Sequence, residues 1–422
     1  MKEELLHYVW KFQCFDKKGI KCNNGDTLQI LNPGRHNQDA GPDFLEAKIK
    51  LNDTIWAGNI EIHVHQSDWK KHQHQDDPKY QNIILHVCYF MDETLPELDS
   101  IAPTLVLNGN VKPSLLGKYR LLNENKRWIP CESIIKPIIL QEQIPLFAFP
   151  LVLNRIERKC KDVQAIFHQQ KSDWEATNYV LIAQSFGSRV NKFGFEQLAK
   201  ATPYKVLMKH STNLFQLEAI LLGQAALLPK NSEEDYVNDL IKEYDFLKKK
   251  YKLTPLQKTI WNYAKLRPAN FPDIKIVQWA NFIHQFPKAF TSFIELEDVN
   301  QFYKTKIEAS EYWNTHYRIG KDSIKRKKKL SKSFLNILLI NAATPLIFFY
   351  GLKNKDNARS EQALNILEQI PAEQNSIIKK WKELGYQAGN ALESQALLEL
   401  KNEYCDNIAC LKCRIGMKLL NS

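Results

Sequence analysis

The sequence predicts an α+β protein in which a small mixed-sheet module precedes a larger all-helical region. Three observations predict it. Apolar and polar residues alternate with period two in several short runs before about residue 110. After that point apolar residues recur at three- and four-residue spacing. Only 15 Gly and 18 Pro are spread through 422 residues, so no long linker or low-complexity tract interrupts the chain. Hydrophobic residues at 44% and charged residues at 25% complete an ordinary globular balance. The length suffices for about two or three domains.

Residues 2–13 read as an amphipathic helix, with Leu5, Leu6, Val9 and Phe12 on one side. Strands follow at 27–31, 43–51, 54–65, 82–90 and 102–107. In the second of these, Leu45, Ala47, Ile49 and Leu51 alternate with Glu46, Lys48 and Lys50. Asn32-Pro33-Gly34 and Asn52-Asp53 supply the breaks between strands. Helical spacing then runs through 140–168, 174–186, 214–228, 235–250, 335–349, 360–370 and 374–384. No fixed-period repeat appears, so a solenoid is not indicated. Pro113, Pro130 and Pro137 mark a loop-like connector. The expected division is a module over 1–112, a connector over 113–137, a helical domain over 138–404 and a C-terminal segment over 405–422.

The first residues, Met1-Lys2-Glu3-Glu4-Leu5-Leu6, lack the apolar core and small-residue cleavage site of a signal peptide. Eight Cys in a chain of this size do not suggest a disulfide scaffold. The apolar stretch 334–351 contains Asn336, Asn341, Thr344 and Pro345, and predicts a buried helix ending near Pro345 rather than a membrane span. A cytoplasmic protein without a membrane partner is expected. Charge is unevenly spread. Residues 1–110 hold 11 Lys/Arg and 16 Asp/Glu, a net of −5, leaving 47 against 31 and a net of +16 for the rest. An acidic front and a basic back fit a metal-using site beside a surface for nucleic acid. A lysine-rich composition with no polyanion partner fits as well. The five consecutive cations Lys325 to Lys329 lie in an expected loop over 318–333, either as a solvated turn or as a phosphate contact.

Six of the 11 His fall between residues 36 and 86: His36, His63, His65, His72, His74 and His86. Gly41-Pro42-Asp43-Phe44 is a turn that delivers Asp43 to the start of a strand. In Asn59-Ile60-Glu61-Ile62-His63-Val64-His65, alternation points Ile60, Ile62 and Val64 one way. Asn59, Glu61, His63 and His65 point the other way, and such a polar row must be exposed, paired or bound to something. His72 and His74, two apart, do not suit one helix face, so at least one belongs in a loop. Plain structural roles stand beside each of these. Asp43 can cap its turn, Glu61 can pair with Lys48 or Lys50 across strands, and the histidines can be hydrogen-bonded core residues.

Asp43, an intervening strand and then Glu61-x-His63 resemble the arrangement of the PD-(D/E)xK nuclease superfamily, down to the Pro42-Asp43 pair. The gap of 17 residues suits adjacent strands, and the order helix, strand, strand, strand, helical turn, strand over 2–90 is similar to that core. The resemblance implies a restriction-endonuclease-like fold for the module. It further implies Mg²⁺ or Mn²⁺ held by Asp43 and Glu61, with a third group orienting water or stabilising charge. Here His63 replaces the superfamily's Lys, and Lys48 on the neighbouring strand could supply the cation. The whole pattern also resembles a bacterial family known only as a domain of unknown function. Gly41-Pro42-Asp43-Phe44, Gly58 to His63, Ser67-Asp68-Trp69, Ile84 to Val87 and a closing Tyr404-Cys405…Cys410…Cys413 carry that likeness.

Cys405, Cys410 and Cys413 lie within nine residues. The two-residue gap between Cys410 and Cys413 lets one turn present two thiolates to a metal. Cys131, in Trp128-Ile129-Pro130-Cys131, is the candidate fourth ligand. Zn and a [4Fe–4S] cluster both suit four thiolates, and free cytosolic thiols are the plain alternative. Three functional readings follow. The first is a metal-dependent nuclease. The second is a catalytically inactive nuclease-fold protein that binds nucleic acid or acts as a scaffold. The third is a transition-metal hydrolase using His63, His65 and one of His72, His74 or His86.

Overall fold

A computed structural model describes residues 1–37 and 39–421. The chain forms two compact units. The first comprises 1–147, 384–386 and 400–422, and the second comprises 148–383 and 387–399. The first unit therefore takes in all of 113–137 and most of the C-terminal residues as well as the expected front module.

The first unit begins with α1 (Glu3–Lys11). Glu3 and Glu4 in its first turn and Lys11 in its last complement the helix dipole. Its buried residues are Leu5, Leu6, Tyr8, Val9 and Trp10. The sheet contains β1 (Leu28–Asn32), β2 (Arg35–His36), β3 (Phe44–Leu51), β4 (Thr54–His65), β5 (Ile83–Phe90) and β6 (Thr104–Val106), with the short helix α2 (Asp68–Lys71) between β4 and β5. It is mixed. β1, β3 and β4 pair antiparallel, β5 pairs parallel with β4, β6 pairs parallel with β5, and β2 pairs with the start of β3. The register of β3 against β4 shifts between Phe44 and Ala47, where Glu46 takes a φ of +59°. That bulge re-aims the start of β3 relative to its far end.

The main core of this unit joins Leu5, Leu6, Val9 and Trp10 of α1 to Phe44, Ile49, Ile60, Ile62, Leu85 and Val87 of the sheet. Each such fully buried side chain contributes about 1.5–3 kcal/mol through loss of apolar surface to water. A smaller cluster of Trp69, Tyr80, Ile83, Leu95, Leu98 and Ala102 forms separately. Because Ile60 and Ile62 enter the main core, alternation directs Glu61 and His63 away from it. Within the expected loop-like connector, Pro113–Glu124 is helical and becomes α3. Pro113 occupies its first turn, where the missing N–H costs nothing.

The second unit is helical apart from a small hairpin, His316–Arg318 with Lys321–Asp322 around Gly320 at φ +68°, which occupies part of the expected 318–333 loop. Pro345 does not end its helix as expected. A π-helical turn, Leu339–Ala343, precedes Thr344–Asn354, so the proline falls at the start of a new α-helical segment after a wider turn that tolerates its lost donor. The helical run 332–354 is long and apolar enough to cross a membrane, with mean hydropathy 1.7, but 72% of that window is buried inside the protein. Lys328, in the cationic run, is also buried. Its Nζ donates to the Asn314 carbonyl at 2.9 Å and lies 4.2 Å from the Tyr317 ring centroid.

Candidate metal centre

Gly41, at φ +118°, and Pro42 turn the chain into β3 and leave Asp43 at its entrance. The pairing of Phe44 with Ile60 sets Asp43 beside β4. The Asp43 N–H donates to Glu61 Oε2 at 3.1 Å, and the Ile62 N–H donates to Asp43 Oδ2 at 3.0 Å. Each acid is thus held by the other's strand, and the two carboxylates share one neighbourhood.

Imidazoles surround them. His7 Nε2 lies 3.2 Å from Asp43 Oδ2, and Glu3 stands one turn earlier on α1. His74 Nε2 lies 3.1 Å from Glu61 Oε1, and His63 Nε2 lies 3.6 Å from the same oxygen. The two-residue spacing of His72 and His74 is resolved by the backbone. α2 ends at His72, Gln73 adopts a left-handed φ of +59°, and His74 opens a 3₁₀ turn. That kink brings both rings against His63, at centroid distances of 5.1 and 5.2 Å. The ligand atoms of His63, His72 and His74 all lie within 4.8 Å of one another, and those of Glu3, His7 and Asp43 form a second such group. Glu61 spans the two, with one oxygen toward His63 and His74 and the other bound by Asp43.

Behind the first group, His63 Nδ1 and His86 Nε2 are 2.9 Å apart, and His86 Nδ1 is 3.2 Å from Thr104 Oγ1. With His63 donating from Nδ1, its Nε2 is left as a bare lone pair; this tautomer is assigned from the hydrogen-bond pattern. The Nε2 atoms of His7, His63 and His74 are buried without a well-formed hydrogen bond, although carboxylate oxygens lie close to each. Buried polar atoms so arranged fit ligation better than packing. Electrostatics agree. Burial, reinforced by Asp43, pushes the Glu61 carboxyl well above the ordinary range despite the Asp43 N–H. Burial, then His86 and His74, holds His63 down to about 2, and burial holds His86 down to about 3. His74 is lowered by burial. For His7, burial opposes protonation, but the Asp43 carboxylate 3.2 Å away outweighs it and raises the pKa. Neutral imidazoles and crowded carboxylates are the groups a divalent cation would bind and relieve.

The remaining candidates stand elsewhere. Lys48 is exposed, pairs with Ala57, and lies beyond the Glu46 bulge, roughly 15 Å along the strand from Asp43. It does not join the carboxylates. His65 is half-exposed at the end of β4, stacked on Phe90 and 3.7 Å from Asp92. His36 flanks the second group, its ring 5.2 Å from His7. His86 acts behind His63. Glu3 and His7 were not singled out from the sequence. The signal available was their i, i+4 spacing on the polar side of an amphipathic helix. Seven nitrogen and oxygen side chains, the imidazoles of His7, His63, His72 and His74 with the carboxylates of Glu3, Asp43 and Glu61, suit Mn²⁺, Fe²⁺ or Zn²⁺ better than Mg²⁺, which prefers an octahedron of oxygens.

One family matches this chain across residues 3–376, and it is described as Protein of unknown function (DUF2851). The chain belongs to that family. No curated protein and no solved structure shows a significant match to it. The matched DUF2851 region contains every residue of the histidine–carboxylate site and Cys131, and it ends before Cys405.

Proposed function

We propose that this protein is a metal-dependent hydrolase acting on phosphodiester bonds of nucleic acid. The convergence of Asp43 and Glu61 with the imidazoles of His7, His63 and His74 carries the reading. His63, His72 and His74 would hold a metal with Glu61, and Glu3, His7 and Asp43 offer a second set. A divalent ion there supplies an activated water and neutralises charge on a phosphate. Asp43 and Glu61 fix the acidic side of the site through reciprocal main-chain hydrogen bonds. His86 orients His63. His7, rather than Lys48, is the basic group beside the carboxylates, and Asp43 raises its pKa, so that where the second set holds no metal its protonated form can stabilise negative charge. The exposed His72 leaves the site open to solvent on the loop side. The element order of the front module, similar to that of the PD-(D/E)xK superfamily, supports a nuclease over other hydrolases. The net +16 of residues 111–422 supports a polyanionic substrate.

The test is cleavage of single- and double-stranded DNA and RNA with added Mg²⁺, Mn²⁺ or Zn²⁺, comparing the protein with Glu61→Gln and His63→Ala. Activity is expected with Mn²⁺ or Zn²⁺ and should fall at least 100-fold in both variants. Cleavage that both variants retain in full would falsify this assignment. Salt-sensitive nucleic-acid binding without cleavage under any metal would leave a binding or scaffold protein instead.

A further inference from the structure

Cys131, Cys405, Cys410 and Cys413 take no part in the site above, and all four fall within the first unit, where Lys401, in the turn that ends at Cys405, sets its ammonium 5.4 Å from the ring centroid of Trp128, three residues before Cys131. Cys131 sits in a tight turn whose carbonyl accepts from the N–H groups of Ile134 and Ile135 at 3.0 and 2.8 Å. Cys405 ends the π-helical turn Leu400–Cys405, and Cys410 opens the 3₁₀ turn Cys410–Lys412. Cys131, Cys410 and Cys413 are buried and Cys405 is partly so, and none is in a disulfide. Each sulfur lies in the field of others. Cys405 feels Cys413, Cys131 and Cys410, and Cys131 feels Cys413 and Cys410. Burial and this mutual repulsion raise their pKa values, with Cys410 pushed up to about 12.

Two details show that this cluster is built rather than incidental. Burial raises the Cys413 pKa, while the backbone N–H groups of Gly416 and Ile415 at the start of the next helix work the other way and favour the thiolate. Helix Arg414–Asn421 begins so close to the Cys410 turn that a Cβ at Gly416 would lie 2.2 Å from the Cys410 carbonyl oxygen, and only glycine fits. Between the cysteines, Leu411 packs against the core shared by α1 and the sheet. The loop therefore rests on a rigid base.

The geometry points to a four-thiolate metal centre formed by Cys131, Cys405, Cys410 and Cys413, tying the C-terminal segment to the turn after α3. A bound cation supplies the positive charge that converging thiolates lack, and its binding displaces their protons. The groups of ligand atoms drawn within 4.8 Å of one another, among the described residues, are the two histidine–carboxylate sets; the thiols are not among them. A single zinc with bonds of about 2.3 Å draws its four sulfurs to about 3.8 Å apart. A [4Fe–4S] cluster, in which each thiolate binds its own iron, holds its sulfurs farther apart than one zinc does and is the group proposed here.

The full-length protein, purified without oxygen, is analysed for iron, zinc and acid-labile sulfide and for visible absorption that dithionite bleaches. About four irons and about four sulfides per chain are expected. Cys405→Ser and Cys413→Ser should lose at least tenfold of the bound metal, whereas Cys160→Ser, whose thiol is buried in the second unit, should keep it. Stoichiometry in the unaltered protein guards against variants that fail to fold. One zinc per chain without sulfide would uphold the four-thiolate centre and overturn the cluster. No metal on isolation and none after anaerobic reconstitution with iron and sulfide, or with zinc, overturns the centre itself.

Discussion

At the scale of single residues, Glu61 and the imidazoles behind it impose opposite pH demands on the metal-free protein. Glu61 has a raised folded-state pKa, from burial and Asp43, so its contribution to stability is present below its ordinary 4.5 and is lost as pH rises. His63 and His86 have depressed values, chiefly from burial. Their contribution is present above 6.5 and is lost as pH falls toward about 2 and about 3. Thermal melts of metal-free protein should therefore decline on both sides of mildly acidic pH, and Glu61→Gln should flatten the alkaline limb alone. A decline unchanged in Glu61→Gln would place the titrating group elsewhere. Metal reverses the alkaline trend, because binding requires Glu61 to release its proton. Affinity by calorimetry should rise between about pH 6 and about pH 8. His86 touches no proposed metal, but it fixes the ring of His63 through a 2.9 Å contact. His86→Ala should weaken metal binding by about 10- to 100-fold while the circular dichroism spectrum holds. Unchanged affinity would reduce His86 to a core residue.

At the scale of elements, the site depends on two backbone devices. The left-handed Gln73 joins α2 to the next turn and allows His72 and His74 to face His63 together. Glycine adopts that conformation freely, whereas a β-branched residue resists it by about 1–3 kcal/mol. Gln73→Gly should therefore keep metal affinity, and Gln73→Val should lower both stability in urea and affinity. Equal behaviour of the two variants would remove the turn from the argument. Gly58 lets β4 lie against β5, since a Cβ there would meet Ile84 Cγ2 at 2.5 Å and the Asn82 carbonyl oxygen at 2.7 Å. Gly58→Ala should cost about 1–3 kcal/mol by denaturant titration, because backbone cannot move aside as a flexible side chain can.

At the scale of the whole molecule, charge and metal act globally. With a net charge of +11, concentrated after residue 110, the protein should bind nucleic acid with an affinity that falls linearly in logarithm as salt rises. A salt-independent affinity would assign the basic residues to solvation alone. Saturating the histidine–carboxylate site with Mn²⁺ or Zn²⁺ should raise the melting temperature by linkage, by about 2.7 kcal/mol at a hundredfold excess over the dissociation constant. Glu61→Gln should lose most of that shift.

The order of strands and helices was legible because side-chain periodicity and turn residues report the local backbone directly. The alternation of Ile60, Ile62 and Val64 with Glu61 and His63 located β4, and Gly41-Pro42 located the entry of Asp43. Residue type and spacing, together with the resemblance to the nuclease superfamily, singled out Asp43, Glu61, His63, His72 and His74 along with Lys48, His36, His65 and His86. What only the tertiary structure decided was company. It placed Glu3 and His7 against Asp43, removed Lys48 and His65, and set His86 behind His63. Those outcomes depend on a bulge at Glu46, a kink at Gln73 and the packing of α1 on the sheet. Periodicity carries no information about them, because a pattern of polar and apolar positions fixes which way a side chain leaves its own element and is silent about what it meets.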